Sequence, residues 1–138
     1  SMDKNLFLIA AKTKMRFPSS RGMLTLEQLW DMPLSSTVTP GFTLDAVAKT
    51  INAGLKEYES DSFVDSTANT TMRNHLVDQL EVVKAVIADK QADNKAATEK
   101  AEKRRRRHKL LEALENRDNA DLAAKSKEEL LKELEELD

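Results

Sequence analysis

The sequence predicts an all-α protein: a small helical N-terminal head, a long coiled-coil-type helix and a short amphipathic C-terminal helix, assembled as a homo-oligomer. The 138 residues include only three Gly and three Pro, and aromatic residues make up 4%, a composition that favours long helices. Between residues 67 and 117 there is neither Gly nor Pro to break a helix. Within that stretch four apolar residues follow the heptad spacing of a coiled coil: Leu76, Leu80, Val83 and Ile87.

The head, residues 1–66, is expected to begin with a helix over residues 5–15, where apolar residues recur at helical spacing. Pro18 is expected to end this helix, because the residue before a proline is disfavoured in the α region. Residues 16–22 should then form a tight loop.

Two further helices are expected in the head, each from an N-terminal capping residue. Thr25 and Gln28 have the spacing of a capping box, which predicts a short helix. Thr43 is a suitable N-cap for a helix that ends near Tyr58. Residues 60–66 are expected to connect this helix to the next.

The long helix, residues 67–118, would extend about 75 Å if continuous, too far to fold against the head alone. We therefore expect its apolar seam to pack against other copies of the chain. Further along the seam, Lys90 and Asn94 are polar, which is typical of positions that fix register and oligomer state. Alternatively, parallel helices spread there into a chamber that pools the basic residues of several copies.

The C-terminal segment, residues 119–138, is expected to follow a break at Asp118-Asn119. Ser126 and Glu129 have capping-box spacing and precede an amphipathic, leucine-containing helix. Its acidic face could lie near the basic residues of the long helix.

Charge is segregated along the chain, although the net charge is only −2. Residues 4–21 contain five basic residues and no acid, and residues 100–109 contain seven basic residues and one acid. Residues 126–138 contain six acids and two basic residues. The distribution of charge along the chain is therefore more informative about binding partners than the net charge is.

Several classes of function are disfavoured by what the sequence lacks. Without Cys there is no disulfide framework or thiolate site, and no apolar run approaches the roughly 20 residues that cross a bilayer. The two histidines, His75 and His108, do not have the spacing of metal ligands. We therefore expect a cytoplasmic protein that is not an enzyme and needs no metal or cofactor.

The first candidate site is the basic segment near the N-terminus. Its cations and hydroxyls could hold a phosphate, and an aromatic ring could stack on a base. The alternative is a solvated basic helix end, since cations favour a helix C-terminus. The candidate residues are Lys12, Lys14, Arg16, Phe17, Ser19, Ser20, Arg21 and Trp30.

The second candidate site is the run of four arginines at residues 104–107, of which Arg104 and Arg107 are assigned to the ligand. One or two of these arginines must approach any oligomer seam, where burial without an anion would be unfavourable. The alternatives are neutralisation by nearby acids and by the acidic C-terminal helix, or binding to nucleic acid.

Three N-terminal segments together carry a resemblance to known proteins. The segments are Leu6-Phe7-Leu8-Ile9-Ala10, Lys14-x-Arg16-Phe17-Pro18-Ser19-Ser20-Arg21-Gly22 and Thr25-x-Glu27-Gln28-Leu29-Trp30-Asp31-x-Pro33-Leu34. They resemble small phage-encoded proteins described as coil-containing. Some small oligomeric phage proteins of this general kind, such as those named Sequestin and Lockin, sequester nucleotide signals of bacterial immunity, including the cyclic ADP-ribose-type molecules of Thoeris defence.

The resemblance implies an anti-defence protein that captures a nucleotide signal in a basic pocket of a homo-oligomer, in the cytoplasm of the host bacterium. Such a protein needs a concave anion site and no chemistry. Two other classes remain open. One is a coiled-coil protein that binds nucleic acid through residues 104–107, and the other is a structural or adaptor coiled coil that docks a protein partner.

Overall fold

The computed structural model describes residues 4–59 and 67–137, so the predicted connector at residues 60–66 lies outside the described residues. It is mostly helical, which confirms the predicted class in its coarse form, and one helix has 57 residues. Assembly as a homo-oligomer stays a prediction. The elements are α1 (Lys4–Lys12), β1 (Arg16–Ser19), β2 (Gly22–Thr25), α2 (Leu26–Trp30), α3 (Leu44–Glu59), α4 (Thr67–Ala123) and α5 (Lys127–Leu137).

A β-hairpin replaces the loop predicted at residues 16–22, so the all-α prediction is wrong at this place. Strands β1 and β2 pair antiparallel, with Phe17 opposite Leu24, and both side chains are buried in the core. Pro18 is compatible with β1 because each strand of a two-stranded sheet is an edge strand, where a missing N–H need not interrupt a ladder. Gly22, at the end of the turn, has φ +105°, a conformation that glycine adopts without steric strain.

Helix α1 ends at Lys12, three residues before the predicted end, and Pro18 is not the cause. Lys14 has φ +51°, the left-handed conformation that stops a helix. The Met15 N–H donates to the Ala10 carbonyl at 2.9 Å, and the Lys14 N–H donates to the Ala11 carbonyl at 3.2 Å. These two bonds make a Schellman motif, which turns the chain directly into β1.

The caps predicted for α2 and α3 are confirmed. The Gln28 N–H donates to Thr25 Oγ1 at 3.2 Å, and the Thr25 N–H donates to Gln28 Oε1 at 2.8 Å. The buried Thr43 hydroxyl accepts the Ala46 N–H at 3.0 Å. Each cap satisfies a backbone donor that the first helical turn would otherwise leave free.

The predicted coiled-coil seam packs against the head of the same chain. Leu80 and Val83 are buried in one core with residues of the hairpin, α2 and α3, and Leu76 and Ile87 pack against that core. The expectation that these residues face another copy is therefore wrong. The residues of this core are Ala10, Met15, Phe17, Leu24, Leu29, Met32, Leu44, Val47, Ile51, Leu55, Leu80, Val82, Val83 and Val86.

Lys90, predicted as a polar seam residue, instead holds the end of α2. Its Nζ donates to the Trp30 carbonyl at 2.8 Å and to the Met32 carbonyl. The neighbouring Asp89 accepts the Trp30 Nε1–H at 2.9 Å. A cation at a helix C-terminus satisfies carbonyls that lack intrahelical partners, so Lys90 and Asp89 fix α2 on α4.

The chain divides into two compact units, Ser1–Asn94 and Lys95–Asp138. In the second unit, α4 continues through the predicted break at Asp118-Asn119 and ends at Ala123. The predicted cap of α5 is present, since Ser126 Oγ accepts the Glu129 N–H at 3.2 Å. No side chain between residues 95 and 137 is buried, so this unit has no core of its own.

Candidate ligand-binding clefts

Four cations of the predicted N-terminal site are exposed on the surface of the first unit. Within the described part of the chain, none of them forms an ion pair at 4.0 Å or less. Their charge is therefore available to an anion from outside. The four residues are Lys12, Lys14, Arg16 and Arg21.

One cleft of about 370 Å³, here called the His75 cleft, contains two of these cations. Lys14 and Arg16 line it together with His75 of α4, and Ile9 and Met23 provide apolar surface. Cationic and apolar groups side by side suit a ligand that has both a phosphate and an apolar ring system.

A second cleft of about 310 Å³, here called the Glu27 cleft, shares Lys14, Met15 and Arg16 with the first. These three residues therefore lie between the two clefts. The Glu27 cleft also contains the acid for which it is named, and Asp78 lines the His75 cleft. The basic segment is free of acids in sequence, but folding brings two carboxylates to its clefts.

Arg16 is positioned by the backbone rather than by a carboxylate. Its Nη1 donates to the carbonyls of Lys14 at 3.0 Å and Met15 at 3.2 Å. The Arg16 carbonyl accepts a bond of 2.7 Å from Nε2 of Gln79, which is only 4% exposed. A guanidinium has five N–H donors, so these contacts orient the group and leave donors for a ligand.

The hydroxyl residues and Arg21 lie in the hairpin turn and line neither cleft. Ser19 Oγ donates to the Gly22 carbonyl at 2.5 Å and accepts the Arg21 N–H at 3.2 Å, so the turn itself uses this hydroxyl. The Arg21 guanidinium carbon lies 4.3 Å from the centroid of the Phe42 ring, a cation–π contact. Ser20 is exposed, beside Gly41.

The two aromatic rings that were expected to stack on a base have structural roles. Phe17 is 0% exposed, so its ring is closed to a ligand. Trp30 donates its Nε1–H to Asp89, and its ring lies against Phe7 at a centroid distance of 5.4 Å. We therefore leave both rings out of the ligand site proposed below.

Sequence reasoning missed the apolar residues of the His75 cleft and the histidine itself. The prediction that His75 is a surface residue of the long helix is confirmed. Its position in a cleft beside Lys14 and Arg16 was not predicted. Nothing in the spacing of Ile9, Met23 and His75 indicates that they line one cleft, because they come from α1, β2 and α4. The hairpin, which was not predicted, places Met23 beside the other two.

Arg104 and Arg107 lie in the second unit and line neither of these clefts. The whole run at residues 104–107 is exposed and makes no ion pair with any described residue. Glu112 pairs with His108 at 3.0 Å. Glu133 of α5 pairs with Lys125, where its hydrogen bond raises the pKa of the Lys125 ammonium.

Comparisons with protein-family models, with curated proteins and with solved structures found no match to the chain. Among the described residues there is no group of three or more metal-ligating side chains. None of the described helices is long and apolar enough to cross a membrane. A function is therefore to be sought in the two clefts and in their cations, which form no ion pair within the described ranges.

Proposed function

We propose that this protein binds a small phosphate-bearing nucleotide and sequesters it unchanged, as an anti-defence sponge for a cyclic ADP-ribose-type signal. The observation that carries the proposal is the His75 cleft, in which two cations that pair with no described acid lie beside apolar surface. The resemblance of the N-terminal segments to small phage proteins supports the nucleotide class. Assembly of several copies would raise the number of sites per particle.

Lys14 and Arg16 would hold the phosphates. An Arg fork gives two parallel N–H···O bonds to a phosphate, and Lys adds a point charge. The imidazole of His75 donates an N–H bond in either protonation state. Asp78 accepts hydrogen bonds from ribose hydroxyls or an amino group, so the cleft should prefer a ligand whose phosphates lie together at one end, beside the cations.

The nucleobase would lie on Ile9 and Met23 instead of on an aromatic ring. Both side chains expose more than half of their surface, although large apolar residues usually bury most of theirs. Met is polarisable and adapts its shape to flat ring systems. Removing this apolar surface from water is the main favourable term available to a base here.

Isothermal titration with cyclic ADP-ribose, linear ADP-ribose and inorganic phosphate tests the proposal. We expect binding of a nucleotide and much weaker binding of phosphate alone. The double substitution Lys14→Gln/Arg16→Gln should weaken nucleotide binding at least about tenfold, equivalent to the loss of about 1.4 kcal/mol. The matched control Lys56→Gln/Lys84→Gln removes the same charge outside both clefts and should change affinity less than about twofold.

Sequestration also requires that the bound molecule leave the protein chemically unchanged. Heating the complex should release the nucleotide with its mass unchanged, because the clefts contain no catalytic group that the proposal uses. Absence of heat with all three probes at tens of micromolar protein would exclude the proposal for these molecules. Recovery of a hydrolysed product would exclude a sponge.

Nucleic-acid binding through residues 104–107 is the second candidate, favoured by four exposed arginines without ion-pair partners. Its affinity would fall steeply with salt, with a slope of about −0.9 per phosphate neutralised on duplex DNA. A nucleotide in the His75 cleft should depend less on salt and should discriminate between isomers. Titration of labelled duplex at two salt concentrations separates the two candidates.

A further inference from the structure

The second unit exposes leucines that nothing in the described chain covers. Their side chains leave between 46% and 82% of their surface accessible, and no residue between 95 and 137 is buried. Exposed apolar side chains in such number suit a place where another chain binds. These leucines are Leu110, Leu111, Leu114, Leu122, Leu131, Leu134 and Leu137.

The exposed leucines of α4 follow a basic segment of the chain, whereas those of α5 lie among acids. Residues 100–109, directly before Leu110, contain seven basic residues and one acid. Helix α5 contains five glutamates and two lysines. Like charges one turn apart destabilise a helix, so residues 100–109 would gain from acids placed beside them.

The α5 helix of the same chain does not pair with these basic residues, since its observed glutamate contact is with Lys125. Arg107 precedes the end of α4 at Ala123 by about 24 Å, at 1.5 Å per residue. Helix α5 has 11 residues, which span about 16 Å. Even if it folded directly back along α4, it would end about 8 Å before Arg107 and about 12 Å before Arg104.

We propose that α5 of one copy packs antiparallel on α4 of a second copy, over Leu110, Leu111 and Leu114. In this direction the C-terminal end of α5, with Glu135 and Glu136, lies against residues 104–107. The negative end of the helix dipole adds to the attraction. With two-fold symmetry the same contact forms twice, once for each α5. The proposal does not depend on nucleotide binding.

Sedimentation velocity of the full chain over a concentration series tests the contact with charge reversal. Arg106→Glu/Arg107→Glu and Glu135→Lys/Glu136→Lys should each raise the dissociation constant at least about tenfold, because like charges then face each other. An equimolar mixture of the two variants should restore association, since each reversed α4 then meets a reversed α5. The control Arg73→Glu/Lys84→Glu changes charge in the first unit and should leave association unchanged.

A separate variant tests the apolar part of the proposed contact. Leu131→Ala/Leu134→Ala should also weaken association at least about tenfold, because apolar area is lost from the centre of the contact. Circular dichroism and Trp30 fluorescence check that each variant remains folded. All substituted side chains are exposed, so the folding of the first unit should not change.

Three outcomes would overturn the proposal. A wild-type chain that stays monomeric throughout the series would leave the leucines without a second copy. An oligomer that tolerates both charge reversals would indicate that two α4 helices pair without α5. Loss of bound duplex DNA in Arg106→Glu/Arg107→Glu at unchanged mass would assign the arginines to nucleic acid.

Discussion

Two stretches of the same helix differ in what covers their apolar residues. Between residues 76 and 90, α4 packs on the hairpin, α2 and α3, and Val82, Val83 and Val86 are fully buried. Between residues 95 and 123, the leucines of α4 are about half exposed. Both stretches have leucine at helical spacing. The spacing alone therefore does not distinguish a helix that packs on its own chain from a helix whose apolar side chains stay exposed in the single chain.

The difference between the stretches lies in their neighbours along the chain. The hairpin, α2 and α3 precede the first stretch and supply buried apolar residues, such as Phe17 and Leu29. Helix α5 follows the second stretch in the described chain, and its leucines are interspersed with glutamates. Apolar residues flanked by opposite charges suit an interface between copies better than a private core.

The largest expected effect comes from truncating a leucine in each stretch. Leu80 is 9% exposed and Leu114 is 58% exposed. Leu80→Ala should lower the free energy of unfolding by about 2–4 kcal/mol, because it leaves a cavity in the core. Leu114→Ala should change it by less than about 0.5 kcal/mol in the monomer. Urea unfolding of dilute protein measures both, with Trp30 fluorescence following the first unit and circular dichroism following the helices of both units.

If Leu80→Ala and Leu114→Ala lowered the free energy of unfolding equally, the comparison would be wrong. Leu114 would then also pack against residues of its own chain. The reverse check is association at high protein concentration. There Leu114→Ala should weaken self-association, whereas Leu80→Ala should affect it only through unfolding.

A second pair of substitutions compares two lysines of α4. Lys90 donates to the carbonyls at the end of α2, whereas Lys103 is exposed and unpaired. Lys90→Met should lower the free energy of unfolding by about 1–3 kcal/mol, because it leaves half-buried carbonyls without a donor. Lys103→Met should stay within about 0.5 kcal/mol of wild type, as measured by urea unfolding.

The result for Lys90 also tests its predicted role. If Lys90 controlled the register of a coiled coil, Lys90→Met would change the oligomer's mass and leave the unfolding of the monomer unaltered. Sedimentation of the same variant therefore separates the two roles.

A third pair compares the N-caps of α3 and α5. The Thr43 hydroxyl is buried and accepts the Ala46 N–H, and Ser126 does the same for Glu129 at an exposed site. Thr43→Ala should cost about 1–2 kcal/mol of stability in the first unit. Ser126→Ala should reduce α5 helicity by circular dichroism without shifting the Trp30 transition. A shift of that transition would show that α5 supports the first unit.

Helix caps and long helices were predictable because their determinants are local. The pairs Thr25–Gln28 and Ser126–Glu129 specify helix starts within four residues of sequence, and the structure has a helix at each. The hairpin was not predictable in this way. The burial of Phe17 that stabilises it depends on α3 and α4, whose contacts with β1 are distant in sequence.

The candidate site was predictable only in part, for the same reason. Lys14 and Arg16 are identified by local charge, and the structure places both in the His75 cleft. The roles of Phe17 and Trp30 were assigned from residue type, which cannot tell a core ring from an exposed one. The acids Glu27 and Asp78 approach the cations through tertiary contacts that no spacing reveals.

The smallest expected effect concerns Lys14, which has φ +51° where glycine is the usual residue. A left-handed conformation costs an L-residue about 1–2 kcal/mol, and part of that is offset because glycine is more flexible when unfolded. Lys14→Gly should therefore stabilise the first unit by about 0.5–1 kcal/mol. Lys14→Ala should bring no gain, because alanine keeps the Cβ that causes the strain.

The same substitution separates the stability of the first unit from its proposed ligand binding. Lys14→Gly removes a cation from both clefts, so nucleotide affinity should fall while the urea midpoint rises. A parallel fall of both would mean that the lysine side chain supports the fold through contacts of its own. Opposite changes would place Lys14 among residues whose local strain persists at a functional site, as left-handed residues often do.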